Sequence, residues 1–253
     1  PSTHYNIGLI YKYRKQWPES CRHNKQATEL EPNDEAANWN LAIAATALRD
    51  WKTARAVWHR LGMPIGEGCD PIEADFGITP VRLNPENEGE VVWGRRIDPV
   101  RVRILNVPFS KSGFRHGDIV LHDGAPVGYR EYEGREYSVF NALELFESSA
   151  YCTYEAELTV AQSEDISALY AICDELTVVC EDWTTSVRTI CRQCSEGSPH
   201  KHHDSDLEDI WKDRHSVGLA ASDEATVQLA LEQWQNETRK VERFELTLGP
   251  SLP

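Results

Sequence analysis

The residue types best able to do chemistry gather in one short run. Cys191-Arg192-Gln193-Cys194 is followed by Pro199-His200-Lys201-His202-His203-Asp204. Thiolates and imidazoles are the donors of tetrahedral zinc sites, so Cys191, Cys194, His200 and His203 are the candidate ligands of a structural zinc ion. His200 lies only six positions after Cys194, against about 12 residues in the loop of a C₂H₂ finger, but zinc knuckles can be this compact. A polar hairpin tip with its cysteines under a sheet fits the same residues. His200, His202 and Asp204 also have the H-x-H-x-D form of hydrolytic metal sites, but Ser205 stands where a further histidine is usual. A catalytic metal is therefore not expected, and beyond the structural zinc no cofactor is.

Other catalytic patterns are weaker. There is no G-x-S-x-G elbow. The segment Gly113 to Gly117 has two glycines and no Lys-Ser/Thr after it, so it is not a P-loop. His116, Asp118, His122 and Asp123 lie close enough in sequence for a proton-transfer pair, but such residues more often bond the backbone at strand edges and turns. A second cluster suits binding rather than catalysis. Glu196, Asp204, Asp206, Glu208, Asp209 and Asp213 fall within eighteen residues, with Trp211 among them. Ordered carboxylates beside a buried aromatic anchor would suit a basic protein partner, whereas a charge run is also what a solvated loop looks like. Trp93, Trp183 and Trp211 lie outside the clearly periodic segments and are the candidate interface anchors. The chain is expected not to be an enzyme.

Charge points the same way. Lys plus Arg number 26 and Asp plus Glu 41, a net charge of −15. Residues 151–253 carry 20 acidic and 8 basic groups, net −12. Such a field repels nucleic acid and anionic membranes and speeds encounter with a basic protein. It also simply favours solubility. Neither nucleic acid nor membrane is expected as a partner, and oligomeric state is left open. The seven cysteines show no framework spacing, so reduced thiols and a cytoplasmic place are expected. The longest charge-free stretch in the helical N-terminal part, Ala36 to Leu48, is thirteen residues, short of the ~20 a membrane span needs.

The elements that must position these residues read as α+β in four parts: helices over 1–62, a Gly- and Pro-rich connector over 63–89, a β-rich unit over 90–150 and an α+β unit over 151–253. In the first part Trp39, Ile43, Leu48, Trp51, Trp58 and Leu61 fall at helical spacings, and Pro18 and Pro32 can each open a helix. In the third, Val91–Trp93, Val100–Leu105 and Asp118–His122 read as strands, Asp123-Gly124 as a turn, and Ser138 to Glu147 as a short helix. In the fourth, Tyr151 to Val160, His215 to Ala221 and Val241 to Leu248 read as strands and Val178 to Cys180 and Ser186 to Cys191 as extended, with helices opening at Ser163 and Ser222. The order strand, helix, strand, strand, helix, strand is that of a ferredoxin-like unit.

A repeat with a period of 34 residues runs through the helical part. Gly8, Tyr11, Trp17, Ser20 and Ala27 recur as Ala42, Ala45, Trp51, Ala54 and Leu61. With Ala27-Thr28-Glu29-Leu30-Glu31-Pro32-Asn33 closing the first copy, this resembles the tetratricopeptide repeat, whose helices cross at small residues. Two copies are fewer than the three usually needed, so the rest of the chain is expected to cap them. The layout as a whole, with the segment from Val100 to Phe140, resembles repeat-containing immunity proteins of bacterial toxin systems, type VI or polymorphic. That resemblance implies a cytoplasmic protein that binds one cognate secreted toxin, possibly a nuclease, and occludes it. A histidine- or metal-dependent enzyme, or a repeat-based scaffold or secretion chaperone, are the rival readings.

Overall fold

The structure, a computed structural model, describes residues 2–87, 89–184 and 213–250. It is a mixed α+β chain whose helices and two sheets follow one another in sequence.

Four helices open it: α1 (Ser2–Tyr13), α2 (Trp17–Leu30), α3 (Glu35–Ala47) and α4 (Trp51–Arg60). Pro18 sits in the first turn of α2. Pro32 instead lies in the α2–α3 turn, because Asp34 caps the next helix by accepting the Ala37 N–H at 3.0 Å. Asp50 caps α4 through the Thr53 N–H in the same way. The small residues of the 34-residue period lie where helices touch: the Ser20 hydroxyl donates to the Gly8 carbonyl at 2.9 Å, and a Cβ on Gly8 would come within 2.6 Å of the Asn24 side chain.

The second part is a closed five-stranded barrel of β1 (Ile78–Leu83), β2 (Glu90–Arg96), β3 (Arg101–Ile104), β4 (Ile119–Tyr132) and β5 (Arg135–Glu147). Neighbours pair antiparallel, and a parallel β1–β5 contact closes it. Val81, Leu83, Val92, Val102, Ile104, Val120 and Ala142 fill the inside. A Cβ on Gly94 would lie 2.1 Å from Val102, so only glycine lets β2 and β3 approach here.

Three expectations are corrected in this part. The first strand, β1, falls within residues 63–89, expected to be a connector. Residues 138–147 form a strand and not a helix. The β4–β5 register slips at several points, so buried Val139, Ala142 and Phe146 fall three and four residues apart and imitate a helical period. The dipeptide Asp123-Gly124 is not the hairpin turn. Between the pairs His122↔Ala142 and Pro126↔Phe140, β4 uses more residues than β5 and bulges outward, and the chain reverses at Glu133 and Gly134, both left-handed at φ 51° and 70°.

One core joins helices to barrel. Trp17, Leu41, Ile43, Trp51 and Trp58 pack with Ile97, Val100, Ile119, Leu121 and Phe146. Tryptophans that fall at helical spacings in the sequence thus pack the helices against the barrel. Trp17 donates to Glu144 at 3.0 Å, and Trp51 meets Phe146 edge-on with ring centroids 6.2 Å apart. Buried Arg101 lies over both Trp51 and Phe146 and is held by the Asp98 carboxylate at 2.5 Å.

The third part has the order β6 (Cys152–Thr159), α5 (Ser163–Glu175), β7 (Val179–Asp182), β8 (Arg214–Ala221), α6 (Glu224–Trp234), β9 (Lys240–Leu248), with sheet order β7-β8-β6-β9 and every adjacent pair antiparallel. Leu158, Leu169, Leu219, Val227 and Trp234 share its core. Asp165 closes the α5 N-terminus: it accepts the Ala161 N–H at 2.9 Å and the Arg239 guanidinium at 2.6 Å, which hold its carboxyl below the usual carboxylate range. Trp183 joins this unit to the barrel. Its indole donates to the Val107 carbonyl at 3.0 Å and covers Gly218, while Glu181 accepts the Val107 N–H at 2.9 Å. The anchoring expected of Trp183 is thus an internal seam.

Candidate functional site

The outward bulge of β4 carries Asp123 onto the first helix. Tyr5, Gly8, Leu9 and Lys12 lie on one stripe of α1 at helical spacing, and a lysine on a buried stripe needs a partner. Lys12 is 3% exposed, and its ammonium donates to Asp123 Oδ1 and to Asn40 Oδ1, both at 2.9 Å. The Tyr13 hydroxyl donates to Asp123 Oδ2 at 3.1 Å. Burial, then the Asp123 charge, pushes the Tyr13 phenol up to about 12, so it remains a donor at neutral pH.

Above this network opens a cleft of about 450 Å³ between α1, α3 and the bulge. Its lining includes Tyr5, Tyr13 and Trp39, the acids Glu35 and Asp123, and Lys12. Trp39 is fixed edge-on against buried Trp58, centroids 4.9 Å apart. Asp123 is already paired with Lys12, so it is the aromatic rings beside Glu35 that suit the cationic end of a Lys or Arg side chain. Of these residues the sequence marked only Trp39, as part of the helical packing, and Asp123, as a turn residue or one member of a proton-transfer pair. The one local signal was Lys12 on an apolar stripe; its partner lies 111 residues away.

The histidine-rich stretch separates into structural contacts. His122 is fully buried; its Nδ1–H donates to the Asp123 carbonyl at 2.7 Å and its ring packs on Phe140. Burial, helped by the Arg96 charge, pushes it down to about 4, so it is neutral at physiological pH. His116 Nδ1 bonds the Leu105 carbonyl at 2.9 Å, and burial lowers its pKa. Asp118 accepts the Arg115 and Ser149 N–H groups at 2.8 and 2.7 Å. His116, Asp118 and His122 bond the backbone, the blander of the two expectations, whereas the Asp123 carboxylate bonds the Lys12 and Tyr13 side chains.

No protein-family model matches the chain, and no curated protein does. A solved structure, the crystal structure of a hypothetical protein from Neisseria gonorrhoeae, aligns over 69% of this chain and 96% of its own at 12% identity, with a TM-score of 0.31. A likeness that low carries no argument about fold or function.

Of the residues singled out in the sequence, Cys191, Cys194, Glu196, His200, His203, Asp204, Asp206, Glu208, Asp209 and Trp211 lie outside the described residues. Asp213 is described: it is exposed just before β8, and its carbonyl accepts the Val160 N–H at 2.9 Å. Among the described residues no group of three or more His, Cys, Asp or Glu is placed to hold a metal, and no helix is long and apolar enough to cross a membrane. Five cysteines of the described part, Cys21, Cys69, Cys152, Cys173 and Cys180, are free thiols.

Proposed function

We propose that the chain is an immunity protein that acts in the cytoplasm by occupancy, binding a basic secreted toxin and covering it. The observation that carries this reading is the cleft between α1, α3 and the β4 bulge. The rings of Tyr5, Tyr13 and Trp39 with the Glu35 carboxylate offer a receptor for a cationic side chain, while Lys12, the Tyr13 hydroxyl and Asp123 are engaged with one another. The net charge of −12 over residues 151–253 adds a field that draws a basic partner in. In the same reading α1 to α4 are two tetratricopeptide-like units capped by the barrel. The sheet order β7-β8-β6-β9 with α5 and α6 supports a ferredoxin-like C-terminal unit.

Occupancy and turnover differ in stoichiometry. The test is coexpression with the neighbouring reading frame, followed by titration of that product's toxic activity in vitro. Protection should saturate at a fixed ratio and leave the toxin chemically unchanged. Glu35→Gln with Tyr13→Ala should raise the dose required. Full inhibition at one protein per ten or so toxin molecules, or a covalent change in the toxin, would identify an enzyme instead. His116→Ala should leave protection near wild type.

A further inference from the structure

The β4–β5 hairpin extends past the barrel to its turn at Glu133-Gly134. In an antiparallel ladder, opposed residues share a face, and so do residues two apart on one strand. Arg130 opposes Tyr137, and Tyr132 opposes Arg135. These four therefore lie on one face of the hairpin. That face rests on Trp93 of β2, whose ring centroid is 5.4 Å from Tyr132 and 5.2 Å from Tyr137. Two residues along β2, Arg95 opposes Arg103 of β3 and continues the same outer surface. Arg95, Arg103 and Arg135 are exposed, and Tyr132 is 47% exposed. Glu131 and Glu136 oppose each other on the reverse face. On this surface Arg130 donates to the Val91 carbonyl at 3.3 Å, and Arg95 forms a solvent-exposed pair with Asp75 at 2.5 Å, a pair worth little.

We infer that this surface binds single-stranded nucleic acid. Rings and guanidinium groups alternate on it, and a single strand is the polyanion that uses both: bases stack on the rings, and phosphates pair with the arginines. An acidic peptide would engage the arginines and leave the rings idle. A proline-rich or apolar peptide would use the rings and leave the arginines unpaired. In a duplex the base faces are already stacked on one another. The net charge of −15 opposes association at long range, yet 12 of those negative charges belong to residues 151–253. At physiological salt the field decays over about 8 Å, so contact is decided by the local arginines. The inference is independent of the toxin-binding reading.

Fluorescence anisotropy of the full chain with a fluorescein-labelled oligothymidylate of about 16 nucleotides, the upper end of a small barrel's site size, tests it. Saturable binding is expected at low salt. With the three exposed arginines, Arg95, Arg103 and Arg135, on phosphates, at about 0.7 per contact in a single strand, the slope of log affinity against log salt should approach about −2. Arg135→Ala should make it shallower by about 0.7. Tyr132→Ala should weaken binding about five- to a hundredfold, the loss expected for one stacked base. Arg103→Gln, at an exposed position, serves as a second variant whose folding is not in question. Absence of saturable binding overturns the inference. So does unchanged binding by folded Tyr132→Ala and Arg103→Gln variants. A polyglutamate peptide that binds as tightly, sensitive to the arginine variants and indifferent to Tyr132→Ala, would make this an acidic-peptide surface and overturn it too.

Discussion

Replacing Lys12 by Met keeps the length of the side chain and removes its charge from a site where the ammonium is 4% and the Asp123 carboxylate 9% exposed. At 2.9 Å the attraction is about 6 kcal/mol with an effective dielectric constant near 20, but the cost of desolvating both ions offsets much of it. The intact pair is therefore worth little net. Breaking it is different. In Lys12→Met the carboxylate would keep the Tyr13 hydroxyl at 3.1 Å and a long contact from the Ala125 N–H at 3.4 Å, and Asn40 would lose a donor. A buried charge stripped of its partner costs about 3–5 kcal/mol, a large share of the roughly 5–15 kcal/mol that holds a domain folded. Urea unfolding followed by circular dichroism should show that loss in Lys12→Met. The double variant Lys12→Met with Asp123→Leu should recover most of it, because an apolar pair leaves no orphaned charge. A single-variant loss below about 1 kcal/mol, or a double variant that loses the sum of the two singles, would refute the assignment of a buried, coupled pair. Hydrogen exchange in α1 should quicken in the single variant, since this bond ties the helix to β4.

Other consequences are open to simpler measurements. His122 is held neutral, with a folded pKa near 4 against about 6.5 when unfolded. The unfolded chain takes up this proton first as pH falls, so stability should drop between about pH 6.5 and 4, by up to about 3 kcal/mol; His122→Gln should remove that part of the profile, and an unaltered slope would count against it. A Cβ on Gly218 would lie 2.2 Å from the Trp183 ring, so Gly218→Ala should displace the indole from Val107 and cost about 1–3 kcal/mol, seen as a lower Tm and a red-shifted tryptophan emission. The Cys191, Cys194, His200 and His203 set is settled by elemental analysis: about one zinc per chain, with a Tm lowered by chelator, is the result expected of a structural site, and protein free of zinc when prepared without chelators would return these residues to ordinary loop chemistry. If the acidic field steers a basic partner, neutralising Asp206, Glu208 and Asp209 should slow association more than it speeds dissociation, and an association rate independent of salt would contradict steering.

Signals that live within a few residues were legible. Pro18 announced a helix start, and the 34-residue period picked out Gly8 and Ser20, which meet where α1 and α2 touch. In the last third, the alternation of Tyr154, Ala156 and Leu158 gave β6 and its inner face. Period two failed where the register slips. On β5 the bulges set Val139, Ala142 and Phe146 at helical spacing, so the pattern there named the wrong element. The candidate site was less legible still. His116, Asp118, His122 and Asp123 looked like one cluster because they are adjacent in sequence, but a strand points neighbours in opposite directions, and each went to a different structural bond. The residues that do meet, Lys12, Tyr13, Asn40 and Asp123, come from two helices and a bulge.

The sequence by itself determined local conformation, because caps, periodicity and glycine sterics act between near neighbours. It also determined the charge, which needs no fold to be counted. The tertiary structure decided barrel closure through β1 and β5, the pairing of Lys12 with Asp123 and the seating of Trp183 on Gly218. It also gathered arginines and tyrosines from two hairpins onto one face. Those contacts join segments tens to more than a hundred residues apart. Their partners are selected by shape and desolvation once the chain has closed, and no short window of sequence contains both sides of such a contact.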